Sequence, residues 1–549
     1  MNLLKQDTRS EEGRNVPVKN IDAAQELTNI IRTNLGPNGL CKLVVTHLDK
    51  VIVTRRTETV LFNLTVEHPI GKLIVMAAKN QAQEVGDGTT QIVAFIGELL
   101  NKIKPLVLMR LPMKDVQEGL DLAMTKALEV LPNLEVGKVS DLRDQKEVLK
   151  ALLPVIGAKI AGQEQLVAQL VAKACIDVLP TSSQGEPITR FNVDNIRFAK
   201  IMGGSLSDST VVRGFCLARN TEGKIKHIKN AKIAVYGCAI EKEEGETKGT
   251  IVLNSAQELQ NYTALEENRM RDKINNVILA TGAKVVVCGA TISEIAMHYL
   301  EQAGVMVIKV PSKFDLQRFC AATNAVAKVT MDVSPQPEEL GFANSIDAKE
   351  VGGTTLLVIS QEKEQGGSDE ESVDSRISTI VIRSATQAQL DDIERVAIDS
   401  VNTFKALTRD SRLVAGGGGF EMELSKLVGS YGKTVRGLGQ YAIGAFADAL
   451  ICVPRILSET AGLDSNEIVT QLAHAHAQGK SHEGVDLNTL EIGDMKATGI
   501  FDLLILKEWV LRFALETVKT ILSVDQIIMA KPAGLKPPPQ QTSGAADSD

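Results

Sequence analysis

Aromatic residues are scarce in this sequence: 3% of the chain, with a single tryptophan, Trp509. Stacking platforms for bases or sugars are therefore few, and the cores must be built from aliphatic side chains. There is no excess of positive charge either. Lys and Arg number 60 against 68 Asp and Glu, a formal net charge of −8 that argues against general nucleic-acid binding. No apolar run approaches the roughly 20 residues that span a bilayer, so no membrane partner is expected. The seven cysteines, from Cys41 to Cys452, include no Cys-x-x-Cys pair. That pattern excludes a zinc ribbon or a disulfide frame and reads as buried thiols in a reducing compartment. The first 20 residues are polar and carry acids, unlike a signal or transit peptide. A soluble, cytoplasmic protein is the expectation.

What the chain has instead is aliphatic mass. Its 549 residues are 44% hydrophobic and include 43 glycines, enough for about three or four domains at roughly 150 residues each. A mixed α/β architecture with closely packed helices is predicted. From Ile21 the apolar residues Ala24, Leu27, Ile30 and Ile31 recur at helical spacing, and the pattern stops at Gly36-Pro37. Residues 42–53 read as two short strands around His47-Leu48-Asp49-Lys50, and helical patterns follow over 71–82, 89–109 and 116–131. Past Ile201, strand-like runs at 233–236, 250–253, 284–288 and 305–310 alternate with helical stretches such as 293–301, an α/β layer pattern. The glycine pairs Gly203-Gly204 and Gly352-Gly353 bracket this block. Residues 361–375 are acidic and rich in Gly and Ser, an exposed loop by composition. Then come a strand at 379–382, a helix at 390–407, a mostly helical last third and a closing strand within 524–529. The Pro-rich tail 536–549 is predicted to be disordered.

Three glycine-containing motifs carry chemistry. Thr33-Asn34-Leu35-Gly36-Pro37-Asn38-Gly39 follows a helix and precedes a strand; it suits backbone N–H contacts to phosphate, or an ordinary helix C-terminal turn. Gly86-Asp87-Gly88-Thr89-Thr90 opens a long helix. It offers a carboxylate for Mg²⁺ and N–H and hydroxyl donors for phosphate, or simply an N-cap. Gly416-Gly417-Gly418-Gly419 precedes a helical stretch containing Glu421; a flexible linker is the plain alternative, but its apolar flanks favour a packed position. Other signals fail. Gly432-Lys433-Thr434 lacks the first glycine of a Walker A loop, Leu427 standing there. His474 and His476 lie two apart on a helix and make a poor metal pair. The acidic run from Ser368 to Glu371 could attract a kinase, although a solvated loop suffices.

Together, Thr33 to Lys42, Gly86 to Thr90, the glycines from Gly416 and the closing Val524-Asp525-Gln526-Ile527-Ile528-Met529-Ala530 resemble group II chaperonins over nearly the whole chain. Finer matches at Glu67-His68-Pro69, Phe191 to Arg197, Glu246 to Thr250 and Asp391 to Arg395 resemble the eukaryotic cytosolic members of that family. The resemblance implies a nested α/β multidomain fold. It has a helical equatorial domain (1–142 and 408–535), a hinge-like intermediate domain (143–206 and 370–407) and an α/β apical domain (207–369). Residues 241–275 of the last would carry a helical lid protrusion. It also implies an ATP- and Mg²⁺-dependent folding subunit of a hetero-oligomeric double ring of paralogous subunits, acting on non-native proteins including actin and tubulin. By the same resemblance Leu35, Gly36 and Pro37 form the phosphate loop, and Asp87 is the Mg²⁺ ligand. Gly88, Thr89 and Thr90 contact phosphate, while Gly417 and Asp502 line the nucleotide pocket, Asp502 at its ribose and base end. Lys159 matches the nucleotide-sensing lysine and Asp399 the catalytic Asp that orients water.

One departure matters. Where the family has Asn-Asp, two small residues and Thr, this chain has Arg55, Arg56, Thr57, Glu58 and Thr59. Arg56 cannot orient water or take a proton as a carboxylate does. An Asp-to-Arg exchange adds two positive units near the phosphates. At roughly 6 Å and an effective dielectric of about 20, each is worth on the order of 3 kcal/mol before desolvation. The sequence therefore predicts a site that holds ATP but hydrolyses it slowly or not at all, unless the arginines point away and Glu58 substitutes. Ala415 for a usual proline and Ser400 for a glycine are milder changes. The rival to an active folding ATPase is a ring-completing structural subunit.

Overall fold

The computed structural model describes residues 9–11, 16–46, 49, 51–179, 191–241, 257, 267–331, 334–361 and 377–529. The sequence-predicted strand at 250–253, most of the protrusion at 241–275, the acidic stretch after Gln361 and the tail lie outside the described residues.

The first part of the chain is built from β1 (Arg9–Glu11), α1 (Val16–Ile31), the hairpin β2 (Lys42–Val45) and β3 (Val51–Thr54), α2 (Thr57–Asn63), α3 (Pro69–Glu84), α4 (Thr89–Leu108) and α5 (Met113–Val130). In α1 the buried side chains Asn20, Ile21, Ala24, Leu27, Thr28 and Ile31 fall three and four apart, the stripe that predicted the helix. Helix α4 is apolar nearly all round, and its residues from Ile92 to Ile96 are all buried. It is the central helix of the core, touching α1, α3 and helices from the far end of the sequence.

After β4 (Gly137–Lys138), α6 (Gln145–Gly157) and α7 (Glu164–Val178), the chain enters the middle block. Its strands are β5 (Ile196–Met202), β6 (Thr210–Leu217), β7 (His227–Tyr236), β8 (Val285–Cys288), β9 (Met306–Lys309), β10 (Ala327–Lys328), β11 (Gly341–Val351), β12 (Thr354–Ser360) and β13 (Ser378–Ser384), with α8 (Glu294–Gln302) and α9 (Lys313–Thr323) between them. They form one sheet in the order β5-β13-β6-β12-β11-β7-β8-β9, with β10 beside β7. The run β7-β8-β9 is parallel, α8 crossing from β8 to β9, the α/β alternation legible in the sequence. Both faces of these strands are buried. Ile233, Val235, Val285 and Val287 face one core, and Ala234, Tyr236, Val286 and Cys288 the other, as the two-residue period of a strand requires. Gln361, assigned by composition to the exposed loop, is instead 5% exposed and donates Nε2 to the carbonyls of Ala322 and Phe342. The strand end and its backbone partners outweighed the polarity of the residues that follow.

The chain then returns through α10 (Gln387–Arg409), β14 (Arg412–Ala415), α11 (Gly419–Gly432), α12 (Gly439–Leu450), α13 (Cys452–Thr460), α14 (Ser465–Ala477), β15 (Glu483–Asp486), β16 (Glu491–Asp494), α15 (Met495–Thr498), β17 (Phe501–Leu503), α16 (Leu504–Leu522) and β18 (Ile527–Met529). Helices from both ends share one core, in which Ile21, Ile31, Ile96 and Leu99 meet Phe446, Leu515 and Ile521. β1 pairs antiparallel with β18. The stretch Gly439–Thr460 is apolar enough over its length to cross a membrane, with mean hydropathy 1.4, a run that the sequence reading passed over. It is split between α12 and α13, and 67% of its most apolar 18-residue window is buried inside the protein, as a core element would be.

Candidate functional site

The site begins at the N-terminus of α4. Gly88 is the N-cap, at φ 79°, with no side chain capping the helix. The first-turn N–H groups of this 20-residue helix therefore present partial positive charge at an open end. Asp87 stands just outside that turn, its backbone carbonyl accepting from Gln81 Nε2. Gly86 has φ 83°, and a Cβ there would lie 2.4 Å from the Asp399 carbonyl oxygen and 2.5 Å from Asn402 Cβ. Glycine at 86 is thus a packing requirement, because α10 crosses directly against this turn.

That crossing places Asp399, 2% exposed, among charges from distant parts of the chain. Its Oδ1 accepts from an Arg56 guanidinium nitrogen at 2.5 Å, and its Oδ2 from Lys159 Nζ at 3.0 Å. Lys159 also lies 3.0 Å from Asp87 Oδ1 and donates to the Gly86 carbonyl. The Arg56 nitrogen that meets Asp399 also meets Glu58 Oε2 at 2.5 Å. Burial disfavours the Lys159 ammonium, but Asp399 and Asp87 outweigh it and hold its pKa above the ordinary lysine value. Burial raises the Glu58 carboxyl, with Arg56 opposing and Asp399 reinforcing the rise. Arg56 is not the unbalanced cation that the sequence suggested, because two carboxylates take up its charge.

The loop after α1 is tied to the same place. Asn34 Nδ2 donates to the Arg55 carbonyl at 3.3 Å, and Arg55 donates to the Pro37 carbonyl at 2.8 Å. Leu35 packs on the helical core, and Gly36 sits at φ 85° against Leu457. Below, the Thr57 and Thr90 hydroxyls are 2.7 Å apart and join the start of α2 to α4.

Gly417 and Asp502 make a second group. The glycine run is packed, not a linker: Gly416, Gly418 and Gly419 are buried. At Gly417, φ is 61°, and a Cβ would stand 2.8 Å from Met495 Sδ and 2.9 Å from the Val485 carbonyl. Asp502 lies on β17 opposite Val414 of β14. Its Oδ2 is 2.7 Å from Lys507 Nζ, which also meets Glu421 Oε1 at 2.7 Å and Gln91 Oε1 at 3.1 Å. Lys507 is 3% exposed; burial opposes its charge, but Asp502 and Glu421 push its pKa well up. This lysine joins α16, α11 and α4, and so links the second group to the first. Sequence reasoning missed it: a lone lysine in the apolar run of α16 has no local signal, its partners lying far away in sequence.

Among the described residues no group of three or more His, Cys, Asp or Glu side chains converges as a metal cage. The donor set nevertheless fits Mg²⁺ carried on phosphate oxygens, which needs only one or two carboxylates from the protein. Asp87, with its side chain 23% exposed beside the open helix end, is the one placed to supply it.

Comparison with known proteins gives a consistent assignment. The profile of the TCP-1/cpn60 chaperonin family matches residues 27–532. The chain is 42% identical to T-complex protein 1 subunit theta of Homo sapiens over 550 residues, covering 100% of this chain and 97% of that protein. The same subunit of Arabidopsis thaliana is 40% identical over 535 residues, 97% and 94% of the two chains. That of Dictyostelium discoideum is 37% identical over 548 residues, 100% and 99%.

Proposed function

The chain belongs to the TCP-1/cpn60 chaperonin family, and on that premise we propose that it is an ATP-dependent folding subunit of a cytoplasmic hetero-oligomeric double ring. Paralogous subunits complete the ring, and binding and hydrolysis of ATP drive a lid closed over non-native clients such as actin and tubulin. The equatorial domain is taken as 1–142 with 408–535, the intermediate domain as 143–206 with 370–407, and the apical domain as 207–369. The core that α1 and α4 share with α12 and α16 supports this nesting.

The single observation that carries the reading is the meeting of Asp87, Lys159 and Asp399 at the uncapped N-terminus of α4. When bound, Mg²⁺-ATP supplies the phosphoanhydride whose cleavage does the work. Leu35, Gly36 and Pro37 and the backbone of Gly88, Thr89 and Thr90 would hold phosphate oxygens, and Asp87 would ligate the metal. Gly417 and Asp502 would hold the nucleoside end. Lys159, now shared between Asp87 and Asp399, would report the arriving negative charge to α10. Asp399 would orient the attacking water.

A second reading has its own observation. Both oxygens of Asp399 are occupied, one by Arg56 and one by Lys159. Loss of Lys159 to a phosphate would free Oδ2, but Oδ1 stays in a charge-assisted pair with Arg56. A carboxylate so held is a poor water-orienting group, which supports a subunit that binds ATP and turns it over slowly. Photolabelling of the assembled ring with azido-ATP tests the primary reading. We expect this subunit to be labelled in the parent ring and labelling to fall at least tenfold in Asp87→Ala. Equal labelling of parent and variant would overturn it.

A further inference from the structure

His476, set aside as a metal ligand in the sequence, is buried and 1% exposed. Its Nδ1 lies 2.7 Å from Glu423 Oε2 on α11, and its Nε2 lies 2.9 Å from the backbone carbonyl oxygen of Glu483 on β15. Both partners are acceptors, and a carbonyl can only accept. Nε2 must therefore carry a proton, and the Nδ1 contact needs another between ring and carboxylate. The ring therefore bridges α11 and β15 by two hydrogen bonds, one of them donated by Nε2.

Charged groups on the elements around the ring have partners of their own; Asp486 of β15 accepts from the Asn488 N–H at 2.9 Å. Lys426 of α11 bonds Glu423 Oε1 at 3.0 Å and the His476 carbonyl at 2.7 Å. Lys480 is 2.8 Å from the Glu483 carboxylate. On the neighbouring α13, Arg455 is paired with Glu98 and Glu459 with Arg32. Asp494 of β16 caps α15 through the Lys496 N–H. On α14 His474 bonds Gln478, and beyond the helix His482 lies beside Ser481.

The Glu483 carbonyl is also where the glycine run rests. A Cβ on Gly419 would lie 2.5 Å from that oxygen, and one on Gly484 would lie 2.8 Å from the Gly416 carbonyl. One residue on, the Val485 N–H donates to the Gly417 carbonyl at 2.9 Å. A single oxygen thus links the imidazole to the loop that precedes α11. We propose that His476 is a positioning residue for the Gly416–Gly419 loop. Its ring holds α11 and β15 together through Glu423 and the Glu483 carbonyl, and without that bridge the loop, with its grip on nucleotide, loosens. The effect on nucleotide rests on the reading that Gly417 lines the nucleotide pocket.

The test uses the full chain in its assembled ring at one fixed pH. Two readouts are taken on parent, His476→Ala and His476→Gln rings. They are hydrogen exchange of peptides spanning 415–423 and 483–487, with peptides of α5 as the reference for an intact fold, and the affinity of this subunit's site for a fluorescent ATP analogue.

His476→Ala, which loses both ring contacts, should exchange at least threefold faster than the parent over both peptides with the α5 peptides unchanged, and affinity should fall with it. His476→Gln, whose amide keeps a donor and an acceptor, should lie closer to the parent. Parent-like exchange over both peptides in His476→Ala, or no recovery in His476→Gln, would overturn the proposal. Exchange raised in His476→Ala and recovered in His476→Gln, with affinity unmoved, would uphold the positioning role and overturn the placement of Gly417 at the nucleotide.

Discussion

Asp399 and Lys507 are buried charges, and both owe their tolerance to partners that no local sequence pattern announces. Arg56 and Asp399 are 343 residues apart, and Lys507 and Gln91 are 416 apart. Breaking a buried network by removing one partner leaves an uncompensated charge at a cost of about 3–5 kcal/mol. Lys507→Met should therefore lower the thermal midpoint of the full chain by several degrees, with Lys507→Arg intermediate. An unchanged midpoint in scanning calorimetry would show that Glu421 and Asp502 need no cation. The pH dependence has a definite direction. The pKa values of Lys159 and Lys507 are raised in the folded protein. Their contribution is complete below the unfolded lysine value of about 10.4 and is lost as pH climbs through the higher folded values. Thermal midpoints recorded between pH 8 and pH 11.5 should fall most steeply above about pH 10.4, and the fall should be shallower in Lys507→Met. An equally steep fall in both would mean that other groups govern the alkaline limb.

At the scale of elements, sequence pattern and structure agree where apolar residues form a stripe or a buried run. The stripe of α1, the long α4 and the alternating strands and helices from β7 to β9 follow from spacing alone. The three glycine motifs stood out in the sequence as special backbone, each beside an ordinary alternative: a helix C-terminal turn, an N-cap or a linker. What they do was not legible. At Gly86 the reason is the approach of α10, and at Gly417 it is the approach of β15 and Met495. Such contacts depend on the tertiary crossing, which spacing along the chain does not encode. The same holds for Gln361, whose polar neighbours marked it as loop while its amide is spent on two buried carbonyls. Gly86→Ala gives a direct test of the crossing. The added methyl has no room, so α10 must move off the turn, and amides of residues 396–404 should exchange at least tenfold faster while those of α5 are unchanged. Parent-like exchange over 396–404 would show that the crossing yields at little cost.

Over the whole molecule, cores and connectivity divide the chain unevenly. The helical core draws on both ends, so neither end can complete it alone, whereas the middle block has its own cores on the two faces of β7 and β8. A fragment of residues 207–369 should be soluble and unfold cooperatively, whereas residues 1–142 alone should remain largely unfolded by far-UV circular dichroism. A cooperative transition from the N-terminal fragment would contradict the shared core. The central proposal concerns the assembled ring: this subunit would hold ATP at a site where Asp399, proposed to orient water, is clamped by Arg56. Single-turnover hydrolysis measures it most directly, in rings whose other subunits are hydrolysis-dead, comparing the parent chain with Arg56→Asp at matched nucleotide occupancy. The account predicts slow turnover in the parent and a gain of at least tenfold on restoring the carboxylate. Equal and substantial hydrolysis in both would contradict it.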